Sequence, residues 1–112
     1  MQRDQTYLVD ILDSCRLAIE LVRQVTYEQF LEDVKLQLAV VKLFEIIGEA
    51  ARSISAEVKE RRPDIPWTKI VGMRNVLVHQ YSRVNFAEVW ETIQHDIPDL
   101  IGQIEPLVPP EE

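Results

Sequence analysis

Between Val34 and Ile54 the residues Val34, Leu38, Val41, Phe44, Ile47, Ala51 and Ile54 recur at steps of three and four, with no proline among them. That spacing lines one face of an α-helix and matches neither face of a strand. A helix of this length with one apolar face has to be covered by other elements, and the rest of the chain supplies covers of the same kind. Leu8, Ile11, Leu12, Cys15, Ile19 and Val22 mark a helix before it, and Val89, Trp90, Ile93, Ile97, Leu100, Ile101 and Ile104 mark one after it. Between them Trp67, Ile70, Val71, Val76, Leu77 and Val78 allow a further helix, with a possible interruption at Gly72. The run Val76-Leu77-Val78 has strand character in isolation, but no second strand-like segment exists to pair with it. The pattern predicts an all-α protein, an up-and-down bundle of four to six helices with short connections.

Local signals place the boundaries. Asp4 reads as the N-cap of the first helix. Thr26 followed by Gln29 has the form of a capping box, opening a short helix at Tyr27 to Leu31 that runs on, with or without a bend, into the long one. Gly48 inside the long helix suggests a close helix contact, and Ser55 can cap one or two further turns before Pro63-Asp64-Ile65-Pro66 breaks the chain. Pro66 suits the first turn of the next helix. Asn85 with Glu88 starts the last one, which Pro98 should kink or split near Asp96. Residues 1–112 read as a single domain, and the prolines from Pro106 onward predict a short flexible tail from about 106.

The formal charge of −7 argues against a protein that grips nucleic acid through a generally basic surface, so any RNA binding must come from a local basic patch. One cysteine, Cys15, permits no intrachain disulfide and fits a reducing, cytoplasmic compartment. It falls among apolar residues at helical spacing, as a buried small hydrophobe would. No apolar run is long enough to cross a bilayer, and the chain shows no signal peptide.

One cysteine and two histidines give no convergent set for zinc or a similar ion, so no metal site is expected. Nor do three scattered glycines make a phosphate loop. Chemistry concentrates instead in Gly72-Met73-Arg74-Asn75-Val76-Leu77-Val78-His79-Gln80-Tyr81. An arginine binds phosphate oxygens bidentately and stabilises the extra charge of a pentavalent transition state. A histidine exchanges protons near neutral pH, so it can activate a ribose 2′-OH or protonate a leaving 5′-oxygen. On one regular helix Arg74 and His79 would differ by roughly 140° in direction, whereas Asn75 and His79 would share a face. Either the helix ends near His79 or the site is completed elsewhere. A symmetric homodimer would bring two copies of His79 and Arg74 into one groove, supplying both acid and base. From spacing alone, an arginine and a histidine placed like Arg74 and His79 are more often a surface ion pair and a helix-terminal cation than a catalytic pair, and Tyr81 alone is more often a half-buried packing residue. Lys69 and Arg83 could frame an RNA path or belong to a solvated face, as could Lys59, Arg61 and Arg62. His95 reads as solvated or capping.

Arg74, four residues, His79, one residue and Tyr81 resemble the Arg-x-x-x-x-His-x-Tyr motif of HepT-like toxins in the HEPN superfamily. The resemblance runs in order through Arg3-Asp4, Tyr7-Leu8, Phe30, Gln37-Leu38-Ala39-Val40, Ile46-Ile47-Gly48-Glu49-Ala50, Ile65-Pro66-Trp67, Gly72-Met73-Arg74-Asn75, Val89-Trp90 and Asp96-Ile97-Pro98. It implies a HEPN-like homodimer that cleaves RNA without a metal or other cofactor, at a cleft between protomers. On that reading Arg74 and His79 are catalytic and Asn75 supports them. Tyr81 accepts AMP from a nucleotidyltransferase antitoxin, which silences the toxin. The alternative is a catalytically silent module that serves as the binding partner and protein substrate of that nucleotidyltransferase. Lys42 stands where such proteins often carry arginine, and Ser82 where an aromatic is common.

Overall fold

The computed structural model describes residues 2–72 and 84–109. Its elements are α1 (Gln2–Val22), α2 (Tyr27–Glu32), α3 (Val34–Ser53), α4 (Ala56–Arg61), α5 (residues 67–72), α6 (Phe86–Glu91), a π-helical turn (Thr92–Asp96) and α7 (Ile97–Ile104), which ends in a 3-10 turn (Glu105–Leu107). Among the described residues none is in a strand, so the all-α expectation holds.

Helix α1 packs along α3 and α7. It runs antiparallel to both, since its start meets Ser55 beyond the end of α3 and Leu107 beyond the end of α7. Between them lies the core, where Ile11, Cys15, Phe30, Val40, Phe44, Ile47, Ile93, Ile97 and Ile104 are fully buried. Every one of these sits on an apolar stripe read from the sequence except Phe30 and Val40. Gly48 is buried on α3. Burial pushes the Cys15 thiol up to about 12, so at neutral pH it is a protonated packing group rather than a nucleophile.

Three caps form as the sequence predicts. Thr26 accepts from Gln29 N–H at 3.1 Å while the Gln29 side chain accepts from Thr26 N–H at 2.9 Å. Ser55 Oγ accepts from Val58 N–H, and Asn85 Oδ1 accepts from both Ala87 and Glu88 N–H. Of the two connections left open between the short second helix and the long one, the structure has the bend: the chain turns at Asp33, whose carboxylate caps α3 by accepting from Leu36 N–H at 3.0 Å. Across that break, buried Gln37 donates from Nε2 to the carbonyls of Phe30 and Leu31 at the end of α2, satisfying groups that a helix end leaves open.

Asp4 corrects its expected role. It lies inside α1 and is buried, accepting from Ser55 N–H at 2.9 Å and Ser55 Oγ at 2.7 Å. It therefore ties α1 to the start of α4 instead of capping its own helix. These hydrogen bonds hold the Asp4 carboxyl below the usual carboxylate range. Because the folded pKa is lowered, Asp4 stabilises the fold fully above the unfolded value of about 3.9, and that contribution is lost as pH falls through the folded value. Asp4→Asn should cost about 1–3 kcal/mol near neutral pH. In urea titrations the gap from wild type should close as the pH drops below about 4; a gap independent of pH would mean that the charge is immaterial.

Pro98 splits the last helix as expected, but through an inserted turn. Ile97 N–H donates to Thr92 C=O, five residues back, in the π-helical stretch. Proline has no N–H to offer and its ring crowds the preceding turn, which the wider π turn accommodates. At the end of the chain, where a flexible tail was expected from about 106, Leu107 and Val108 pack against the core, and Gln5 Nε2 donates to Leu107 C=O at 3.1 Å.

Candidate functional site

Arg74, Asn75, His79, Tyr81 and Arg83 lie outside the described residues, as does the Val76-Leu77-Val78 run. The structure does define both flanks of the segment that carries them.

The entry is a rigid corner. Arg62 Nε and Nη2 donate to the two oxygens of Asp64 at 2.9 and 2.8 Å, the paired geometry that suits guanidinium and carboxylate. That pairing raises the Arg62 pKa and lowers that of Asp64. Trp67 Nε1 donates to Arg62 C=O at 3.0 Å, and Ile65 and Trp67 are buried beneath. Ile70 N–H donates to Pro66 C=O at 3.0 Å, so α5 starts directly after the proline. The direction in which α5 delivers the chain to Arg74 is thus fixed by packing and by four hydrogen bonds. The sequence offered only the Pro63–Pro66 break as a signal for it. The pairing of Arg62 with Asp64 also removes Arg62 from the cations available to frame an RNA path.

The exit is fixed by aromatic packing. After Val84 the chain enters α6, where Phe86 lies edge-on to Phe30 at 6.1 Å between centroids and Trp90 lies 5.3 Å from Phe30 and 6.0 Å from Tyr27. Such pairs add roughly 0.5–1.5 kcal/mol each beyond their buried area.

Lys69, on α5, has its Nζ 3.5 Å from Asp96 on the π turn. The hollow around it is lined by Glu88, Glu91, His95 and Asp96, with His95 Nε2 3.3 Å from exposed Glu91. Asp64, Asp96 and Asp99 border the groove on its other side. Lys69 therefore stands on an acidic face, and a phosphate reaching it would have to displace Asp96. Lys42 is exposed on α3, 4.0 Å from Glu45. Among the described residues no group of three or more His, Cys, Asp or Glu side chains is arranged to hold a metal ion, and no helix is long and apolar enough to cross a membrane.

Comparison with known proteins extends the picture to the segment between the flanks. The profile of a family described as ribonuclease HepT-like matches residues 11–107. A Caldanaerobacter subterraneus subsp. tengcongensis protein named a putative RNase is 38% identical over the full length of both chains. A Thermococcus cleftensis protein named "Probable ribonuclease HepT" is 42% identical over 101 residues, covering 90% of this chain and 92% of its own. A Methanocaldococcus jannaschii protein named a putative RNase is 34% identical over 101 residues, covering 90% of this chain and 93% of its own. No solved structure matches significantly.

Proposed function

Since the chain belongs to the HepT-like ribonuclease family, an all-α family of endoribonucleases, we propose that it is the toxin of a toxin–antitoxin pair, acting on RNA as a homodimer through Arg74 and His79. The observation that carries this reading is the joint presence of the Arg74–His79–Tyr81 motif and a family match that spans it on both sides.

In the proposed reaction one His79 takes the proton of a ribose 2′-OH. The 2′-oxygen attacks the adjacent phosphorus, and the bond to the 5′-oxygen breaks as that oxygen receives a proton from the His79 of the second protomer. Arg74 stabilises the charge on the pentavalent phosphorus, Asn75 supports the pair, and the products carry a 2′,3′-cyclic phosphate and a 5′-OH. No metal or cofactor takes part. Arg83 is the remaining cation proposed to meet RNA. Lys69 could do so only by leaving Asp96. Tyr81 is the proposed AMP acceptor for a nucleotidyltransferase antitoxin. Adenylate there would set negative charge and bulk beside Arg74, repelling RNA phosphate.

The test is incubation of total cellular RNA with the purified protein in EDTA, after intact mass has shown Tyr81 unmodified. Cleavage leaving cyclic phosphate ends is expected. Treatment with a cognate nucleotidyltransferase antitoxin and ATP should then add adenylate to wild type but not to Tyr81→Phe, and should stop cleavage. Adenylate uptake by an unmodified protein that cuts no RNA would instead identify the silent partner module.

A further inference from the structure

Among the described residues a groove lies between α5 and α7. It is a half-open cavity of about 220 Å³, smaller than the roughly 300–1,000 Å³ of small-molecule sites. That volume suits one long side chain. Ile70, Ile97 and Leu100 line it, and three carboxylates, Asp64, Asp96 and Asp99, stand around it with one cation, Lys69. The three apolar residues belong to the core and are at most 5% exposed, so they form a fixed floor. Two of the carboxylates have partners, Asp64 in Arg62 and Asp96 in Lys69. Asp99 is exposed and has no ion pair among the described residues. The acidic surface continues past Lys69 to Glu88 and Glu91.

We propose that this groove is a docking slot for an arginine or lysine of a partner protein, set in a segment with apolar neighbours. The chemistry of the slot selects that occupant. An apolar floor beneath an acidic rim matches a side chain with an aliphatic stem and a cationic head, which buries the first and keeps the second in a polar setting. Charge complementarity excludes the two anionic candidates, RNA and an acidic peptide, from the same place. Arginine anchors seated in pockets of this kind carry much of the binding energy of protein interfaces. The slot borders α5, which precedes the motif segment in the chain.

A fluorescein-labelled peptide with the core Leu-Arg-Leu-Leu, and its Leu-Glu-Leu-Leu counterpart, would be titrated against the whole protein by fluorescence anisotropy. Binding of the arginine peptide alone is expected. Asp99→Lys, an exposed change that leaves the core untouched, should weaken it by about tenfold or more. Asp13→Lys, the same charge reversal on the exposed outer side of α1, should leave it within about twofold. Equal weakening by both variants would overturn the proposal by reducing the effect to net charge. Failure of the arginine peptide to bind would overturn it as well. Displacement by spermidine at equal concentration would recast the groove as a sink for small cations, and displacement by a single-stranded RNA oligonucleotide would make it part of the RNA path. Either outcome also counts against a protein dock.

Discussion

Replacing His79 with alanine is expected to reduce RNA cleavage in EDTA by about 10²–10⁴-fold, the range that a positioned acid or base contributes. In a two-fold groove the substitution removes both proton-transfer groups at once, so the loss should fall toward the upper end of that range. Arg74→Ala should cost about 10²–10³-fold, as removal of a donor to developing charge does elsewhere. The two variants should differ in pH dependence. Arg74→Ala should keep the shape of the wild-type profile, because the titrating group remains, whereas the residual rate of His79→Ala should lose the limb near neutral pH. Circular dichroism and the urea midpoint should stay at wild-type values for both. A His79→Ala protein that cleaves at the wild-type rate while folded would remove His79 from the chemistry and with it the proposed mechanism.

How well the sequence foretells this protein depends on how far apart the interacting residues lie. Thr26 and Gln29, Ser55 and Val58, and Asn85 and Glu88 each interact three residues apart, and all three caps were legible because a cap is a local event. Asp4 carries an equally clear N-cap identity, yet its partner is Ser55, 51 positions on. No spacing rule reaches that far. The break at Asp33 was left open for a different reason: apolar residues continue on both sides of it, so periodicity does not decide whether the helix bends there, and the contacts of Asp33 and Gln37 do. Pro98 announced a disruption, though the π turn that absorbs it depends on how the helix is held against the core.

The candidate site divides in the same way. Arg74, His79 and Tyr81 announce phosphate chemistry by residue type, and the ordered resemblance gives them roles. Lys69 looks like another cation of that site when read along the chain, but in space it meets Asp96 and the carboxylates of α6. Conversely, Arg62 and Asp64 read only as charges around a proline break and Trp67 as an apolar helix position, and the structure joins the three into the corner that aims α5. An RNase built this way has little use for a broad basic surface. Its acidic faces disfavour polyanions outside the proposed groove, so on that reading cleavage should depend on local RNA shape more than on overall affinity.

The fold rests heavily on the exit flank, and Phe30→Ala should show it. Phe30 is fully buried, touches Phe86 and Trp90, and joins α2 to α6 just beyond the motif segment. Truncating a buried phenylalanine costs about 3–5 kcal/mol through lost transfer energy and the cavity left behind. With a urea slope of about 1–3 kcal/mol per molar, the midpoint should fall by at least about 1 M. Phe30→Leu keeps most of the volume and should cost under about 1.5 kcal/mol. Because Trp90 lies against Phe30, tryptophan emission should shift in the folded alanine variant before any denaturant is added. An unchanged midpoint would mean that α2 is dispensable to the bundle. A lowered midpoint with cleavage intact below it would separate stability from catalysis and confine the role of the aromatic cluster to holding α6 in place.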